Sequence, residues 1–235
     1  MKKLLALLLV ALMTISMVAC GEETTSAETN QNNNSSDNTV TQEHTLDDLL
    51  ADAVELDGYT FFQEYQSNKV KLSSQYEGKS CLVAGTIDAI ENDHIVVVDS
   101  NLKVNVYIPT EEIIELEKDQ YVEVVGILEN IGFEQNMSMV WVTIDFNTGY
   151  LSKSIYSKTG IYQADSSTDG THPQGMYLEC INDSGNTYFV EVVLTDEQRE
   201  SLTRGSEVTL VGKLLVNDNK MPHSAYTKLI VETIE

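Results

Sequence analysis

From residue 79 onward, apolar and polar positions alternate along the chain. In "SCLVAGTIDAI", Cys81, Val83, Gly85, Ile87 and Ala89 share one face, the period-two signature of a half-buried strand. The same alternation marks "HIVVVD" and "KVNVYI", with turn residues "ND" and "DSN" separating the three runs. "PTEEIIELEK" then predicts one short helix with Thr110 as its cap and Glu111 and Glu112 in its first turn, where the helix dipole favours acids. "QYVEVVGILENI" and "SMVWVTIDF" return to strand. Upstream the spacing is helical. Thr45 is placed to cap "LDDLLADAVEL", and a second helix starts from Thr60, with Phe61, Tyr65, Leu72 and Tyr76 along one stripe.

Three strands, a helix and two strands is the order of an OB-fold, a five-stranded Greek-key barrel. Glycines within strands, at Gly85 and Gly126, suit its sharp bends. The order then repeats. "KDQYVEVVGIL" (118–128) returns as "RGSEVTLVGKL" (204–214), and a gap-free alignment of 104–128 with 190–214 pairs Val104 with Val190, Leu116 with Leu202, Val122 with Val208 and Gly126 with Gly212. Matches on strand faces, helix core positions and the bend glycine imply a repeated structural unit. "GMYLECIND" and "TYFVEVVL" form a hairpin, "AYTKLIVETI" ends the copy, and its first strand falls within 150–164. The expected architecture is mainly β with short helices, as tandem OB-fold barrels. A helical lead-in and the first barrel occupy 45–150, and a second, more divergent barrel occupies 151–235. One larger β domain is the alternative.

The stretch "YQSNKVKLSSQYEGKSCLVAGTIDAI" resembles the tRNA-anticodon-binding-like OB-fold proteins of bacterial exported chains, over about residues 60 to 130. The matching residues are Tyr65, Asn68, Val70, Tyr76, Gly78, Lys79, Gly85 and Ile90, while Lys71 and Leu72 stand where the family usually has an alanine. The resemblance implies the fold. It implies no activity, no tRNA role and no catalytic residues.

Residues 1–19, "MKKLLALLLVALMTISMVA", open with two lysines and carry an apolar run from Leu4 to Met13. That run is shorter than the ~20 residues a membrane-crossing helix needs, so it reads as an export signal. "MVAC" resembles a lipobox ending at Cys20, with Met17 where leucine is usual. The expectation is lipid attachment at Cys20 (a diacylglyceryl group with a further acyl chain such as palmitate), which anchors the chain on the extracytoplasmic face of a membrane; more than one acyl chain gives stable anchoring. An ordinary secreted protein is the alternative. Residues 20–44 are rich in Ser, Thr, Asn and Glu, too polar to bury surface, and form a tether spanning about 27 Å as a flexible chain.

Charge narrows the partners. Cleavage before Cys20 removes Lys2 and Lys3 and no acid, taking the formal charge from −23 to −25. Phosphate backbones and anionic headgroups repel such a chain, so nucleic acid is disfavoured. Cys81 and Cys180 fall on apolar faces of different barrels and are expected as free, buried thiols.

Reactive constellations are sparse. His44, His94, His172 and His223 lack metal-ligand spacing, and no phosphate loop or nucleophile elbow occurs. "DSSTDG" (165–170) echoes a calcium loop, but its twelfth position is Met176 in place of glutamate. No catalytic residue, metal or cofactor is assigned. With Val104, Val106 and Ile108 inward, Lys103, Asn105 and Tyr107 face outward; in the second barrel Phe189, Glu191 and Val193 do so. Met139, Trp141 and Thr143 face outward from the last strand of the first barrel, and Trp141 is the only tryptophan. Tyr107, Met139, Trp141 and Phe189 are the candidate interaction surface, although the pattern favours the alternative in which Trp141 packs beneath the amino-terminal helix or against the second barrel. The expected role is non-enzymatic binding of a protein or cell-envelope component. Binding of an oligosaccharide, or less readily of single-stranded nucleic acid, on the barrel faces is the first alternative, and an enzyme of unrecognised type the second.

Overall fold

The computed structural model describes residues 44–136, 139–165, 175–217 and 226–235. Among these, no helix is long and apolar enough to cross a membrane. Cys20 and the expected tether up to residue 43 lie outside the described residues.

Helix α1 (Leu46–Ala51) starts in a reciprocal capping box between Thr45 and Asp48. It stops earlier than its apolar spacing suggests. Val54–Glu55 leaves the helix to form a two-residue strand, β1, parallel to β2 (Ser80–Ile90), and Leu56 N–H donates to the Leu82 carbonyl at 2.9 Å. The open edge of β2 captures the segment, a tertiary contact that local spacing cannot register. Helix α2 (Gly58–Tyr76) starts two residues before Thr60 because Asp57 caps it, accepting from Thr60 N–H at 2.8 Å. It is kinked at Asn68, whose φ of −162° is extended, and the Asn68 side chain caps the resumed helix by accepting from Lys71 N–H at 3.0 Å.

Strands β2, β3 (His94–Asp99), β4 (Leu102–Tyr107), β5 (Tyr121–Asn136) and β6 (Met139–Lys153) close the first barrel in the order β2-β3-β4-β6-β5, returning to β2. The β4/β6 pair is parallel and its neighbours antiparallel. Helix α3 (Thr110–Ile113) follows β4 as expected, but Pro109 holds the N-cap with no side-chain bond, and Thr110 is the first helical residue. Proline's fixed φ sets the chain on its helical course without a side-chain cap. Strands β5 and β6 both run longer than the alternation indicates. Their pairing persists from Ile131–Ile144 out to Asn136–Met139, and at the other end Glu123–Gly126 pairs with Lys153–Gly149.

Strands β7 (Ile155–Asp165), β8 (Gly175–Ile181), β9 (Thr187–Val193), β10 (Glu207–Asn217) and β11 (Tyr226–Ile234) close a second barrel in the order β10-β11-β9-β8-β7, with β9 and β11 again parallel. Helix α4 (Asp196–Ser201) sits between its third and fourth strands, with a capping box at Thr195. Both halves are therefore complete five-stranded OB barrels with short helices. Each has its own core, Cys81 lying in the first and Cys180 in the second as free thiols.

The repeat extends to hydrogen bonds. Asp119 N–H donates to the Ile87 carbonyl at 2.8 Å and Ile87 N–H to the Gln120 carbonyl at 2.9 Å. In the second copy Gly205 N–H donates to the Tyr162 carbonyl at 2.8 Å and Tyr162 N–H to the Ser206 carbonyl at 2.9 Å. Asp119 and Gly205 both hold left-handed backbone, at φ 67° and 83°. Gly85 and Gly160 likewise face a neighbouring carbonyl where a Cβ would come within 2.6 and 2.7 Å.

Candidate functional site

The outer face of the first barrel is built by the alternation of β4 and β6. Val104, Val106, Val142 and Ile144 are wholly buried, which turns Lys103, Asn105, Tyr107, Trp141, Thr143 and Asp145 outward. Polar pairs cross this face. Asn105 Nδ2 donates to Asp145 Oδ1 at 2.7 Å, and Asn130 Nδ2 donates to Asp145 Oδ2 at 3.2 Å. Lys103 Nζ donates to Glu134 Oε2 at 3.1 Å and stands 4.2 Å from the centre of the Trp141 ring. The Lys103 side chain is only 17% exposed, so the cation is held between a carboxylate and an indole face, an arrangement that strengthens as water is excluded.

The structure separates the four expected surface residues. Trp141 and Met139 (61% exposed) share the outward face of β6. Tyr107, 41% exposed, lies at the far end of β4, where its ring meets His94 at 5.0 Å. Phe189 belongs to the second barrel, where it occupies the repeat position of Lys103, edge-on to Tyr177 at 5.5 Å. Trp141 is half-buried, and its aromatic-face partner is Lys103.

Sequence patterning did not reveal the junction between the barrels. Ser154 alone separates β6 from β7. Gln120 is fully buried beside it; its Oε1 accepts from Glu117 N–H at 3.0 Å and its Nε2 donates to the Ser154 carbonyl at 3.1 Å. Gln120 also bridges to Leu215, Val216 N–H donates to the Asp119 carbonyl at 2.9 Å, and Lys213 Nζ donates to the Glu115 carbonyl at 2.7 Å. Tyr121 packs on the second core against Tyr156, ring centres 5.6 Å apart. Burial, then the charges of Asp99, Glu123 and Glu55, pushes the Tyr121 phenol above its ordinary range, so it stays protonated at neutral pH. The signal for this junction lay in the repeat itself, where Gln120 and Tyr121 stand opposite Ser206 and Glu207.

Above the junction opens a cleft of about 560 Å³, walled by β2, the β3–β4 turn, Lys118, Asp119, Tyr121, Trp141 and, from the second barrel, Val216. Asp99 is committed, accepting from Gly58 N–H at 2.6 Å. Asp88, Lys118 and Asp119 are exposed at the rim. Among the described residues, no group of three or more His, Cys, Asp and Glu side chains is placed to hold a metal. The calcium-like phrase at 165–170 falls almost wholly outside the described residues.

The family model described as tRNA_anti-like matches residues 1–108, ending just after the third strand of the first barrel. The resemblance read over residues 60 to 130 is thus supported as far as residue 108. In the structure its residues are mostly framework: Asn68 restarts α2, Gly78 turns at φ 78°, and Tyr76 packs on Phe61 at 5.4 Å. No curated protein sequence matches the chain. Among solved structures, a deletion mutant of the single-stranded DNA binding protein from Thermus aquaticus is similar at 16% identity, over 66% of this chain and 91% of that one, with a TM-score of 0.26. The OB assignment rests on the strand order of the two barrels.

Proposed function

We propose that this chain is a non-enzymatic interaction protein, lipid-anchored through Cys20 on the extracytoplasmic face of a membrane, which engages a protein or cell-envelope component through the outer face of its first barrel. The observation that carries the reading is the Trp141 position. An outward indole is fixed by Lys103 and Glu134 before any partner arrives, and Met139 is exposed on the same face of the strand. A large aromatic side chain that is already ordered loses little freedom on binding, which is how anchor residues give affinity.

The same face supports the reading against nucleic acid. Single-strand binders set stacking aromatics among cations free to meet phosphates. Here Lys103 is taken by Glu134, and Asp145 lies on the face between two asparagine amides. The chain's formal charge of −23 adds long-range repulsion.

Crosslinking on intact cells followed by mass spectrometry, comparing the native chain with Trp141→Ala, tests the surface. A recurrent partner lost in the variant is expected; capture unchanged by the substitution, or no specific capture at all, overturns it. Fractionation tests the anchor: Cys20→Ala should release the protein into the medium, and undiminished membrane retention would refute lipidation.

A further inference from the structure

The β5–β6 hairpin outruns the first barrel on one side. Strand β2 pairs with β5 only from Tyr121 to Ile127, and Leu128 closes that seam, donating to the Lys79 carbonyl at 3.0 Å and accepting from Gly78 N–H at 2.8 Å. Beyond it β5 continues to Asn136 with β6 on one edge and, among the described residues, no strand on the other. We propose that this open edge takes an extended segment of a partner protein as an added strand, one in which basic and apolar side chains alternate. This rests on the interaction reading above and names the chemistry of the partner.

The hydrogen bonds of β6 show which backbone groups are on offer. Directly opposite residues of an antiparallel pair either bond each other or both turn away. Val142 stands opposite Phe133, and its N–H turns away from β5 to the Asn101 carbonyl at 2.9 Å. Val140 stands opposite Gln135, and its carbonyl turns away to accept from Asn101 Nδ2 at 2.9 Å. Phe133 and Gln135 therefore aim their own N–H and C=O at the open edge. Asn101 closes the equivalent groups on β6, whereas nothing among the described residues closes those on β5. Phe133, Glu134, Gln135 and Asn136 are all exposed, so an incoming strand can reach them. The run carries no proline and no charge at its inward positions, two of the devices by which natural edges are kept from pairing.

The two faces of the edge set the pattern of the partner. On the inward side the exposed Phe133 ring stacks on Tyr65 of α2 at 6.0 Å, and a β-branched side chain beside it gains the packing of a cross-strand pair. Lys69 already stands 5.6 Å from the centre of the Tyr65 ring, so a further cation is disfavoured there. On the outward side stands Glu134, opposite Trp141. Lys103 bonds Glu134 Oε2 and leaves Oε1 open, so a basic residue at the neighbouring position of an added strand meets a carboxylate. The formal charge of −23 draws a cationic segment and repels an acidic one, a second copy of this chain included. Side chains alternate along any strand, so the apolar residues of the segment face Phe133 and its basic residues face Glu134.

The full chain carrying Cys20→Ala is titrated with a dye-labelled peptide of alternating lysine and valine, followed by anisotropy and calorimetry. The expected result is saturable binding with Kd on the order of 10–1,000 µM, and none for the matching peptide of alternating glutamate and valine. N-methylation of every valine keeps the charge but removes the donors aimed at β5, and should abolish binding. On the protein, Gln135→Pro removes an N–H at the open edge, where proline is tolerated, and should weaken binding at least about five-fold, the loss of one backbone bond. The methylated peptide probes the unaltered edge, whatever Gln135→Pro does to the hairpin. No saturable binding of the lysine–valine peptide overturns the proposal. So does equal binding of its methylated form, which reports plain charge attraction, or binding indifferent to Gln135→Pro. A dimer of the chain that Gln135→Pro dissolves gives the edge to a second copy and overturns it as well. A partner crosslinked through Trp141 and undiminished by Gln135→Pro leaves the interaction reading standing while this one falls. Peptide binding without a Trp141-dependent partner separates them the other way.

Discussion

Shortening Gln120 to alanine should uncouple the two barrels. The side chain is fully buried, and its amide satisfies Glu117 N–H on one side and the Ser154 carbonyl on the other. Alanine leaves both groups without that partner. An orphaned buried polar group costs about 1–3 kcal/mol; both bonds are only part-buried, so roughly 1 kcal/mol each is appropriate. The lost buried methylene adds about 0.8 kcal/mol, with a cavity term of similar size. The total is about 3.6 kcal/mol, or a fall in Tm of roughly 7–14 °C for a chain of this size. Urea unfolding followed by Trp141 emission reports the first barrel alone, and far-UV circular dichroism reports both. In the native chain the two curves should coincide; in Gln120→Ala they should separate. A loss below about 1 kcal/mol with coincident curves would refute the claim that this glutamine couples the barrels.

Other perturbations have defined outcomes. Asn68→Ala removes the cap that restarts α2 and should cost about 1 kcal/mol in chemical denaturation. Gly160→Ala drives a methyl toward the Glu179 carbonyl and Cys180 Sγ and should cost about 1–3 kcal/mol in urea unfolding. Burial pushes the Cys81 thiol up to about 12, against an ordinary value of 9.0. Above pH 9 the unfolded chain therefore releases a proton that the folded chain retains, and stability falls by up to about 1.4 kcal/mol per pH unit until pH 12. Cys81→Ala should flatten part of that slope in urea midpoints measured between pH 8 and pH 10. In the native state neither Cys81 nor Cys180 should react with maleimide at pH 8, and both should do so in denaturant.

What could be read from the residues follows from how local each cause is. Strand faces were legible because alternation is enforced residue by residue: Val104, Val106 and Ile108 turned inward as their spacing required. The second barrel was legible because the repeat preserves the bend glycine and the face positions, and its first strand could be sought where the order demanded one. Other features depend on partners distant in sequence. Val54 and Glu55 become strand only because β2 offers an edge. Asn68 looks like one more polar helix residue until the kink turns it into a cap. The β5–β6 hairpin outlasts its alternation, and Phe133, 51% exposed, stacks on Tyr65 of α2 at 6.0 Å. On the candidate surface, outward orientation was readable but grouping was not. Tyr107 and Trp141 share a face yet lie at opposite ends of it, and the cleft depends on the junction, where the two copies diverge.

That junction has a consequence for how such a chain can be inherited and reused. With a single residue, Ser154, as connector and with Gln120 and Tyr121 of one copy set against Ser154, Leu215 and Tyr156 of the other, the two copies cannot be cut apart and recombined with other domains without stripping a buried amide and a tyrosine ring. The joint makes the two barrels one physical unit. A substitution on one side of the joint is felt by the groups it touches on the other, whereas the outer faces do not meet the neighbouring copy.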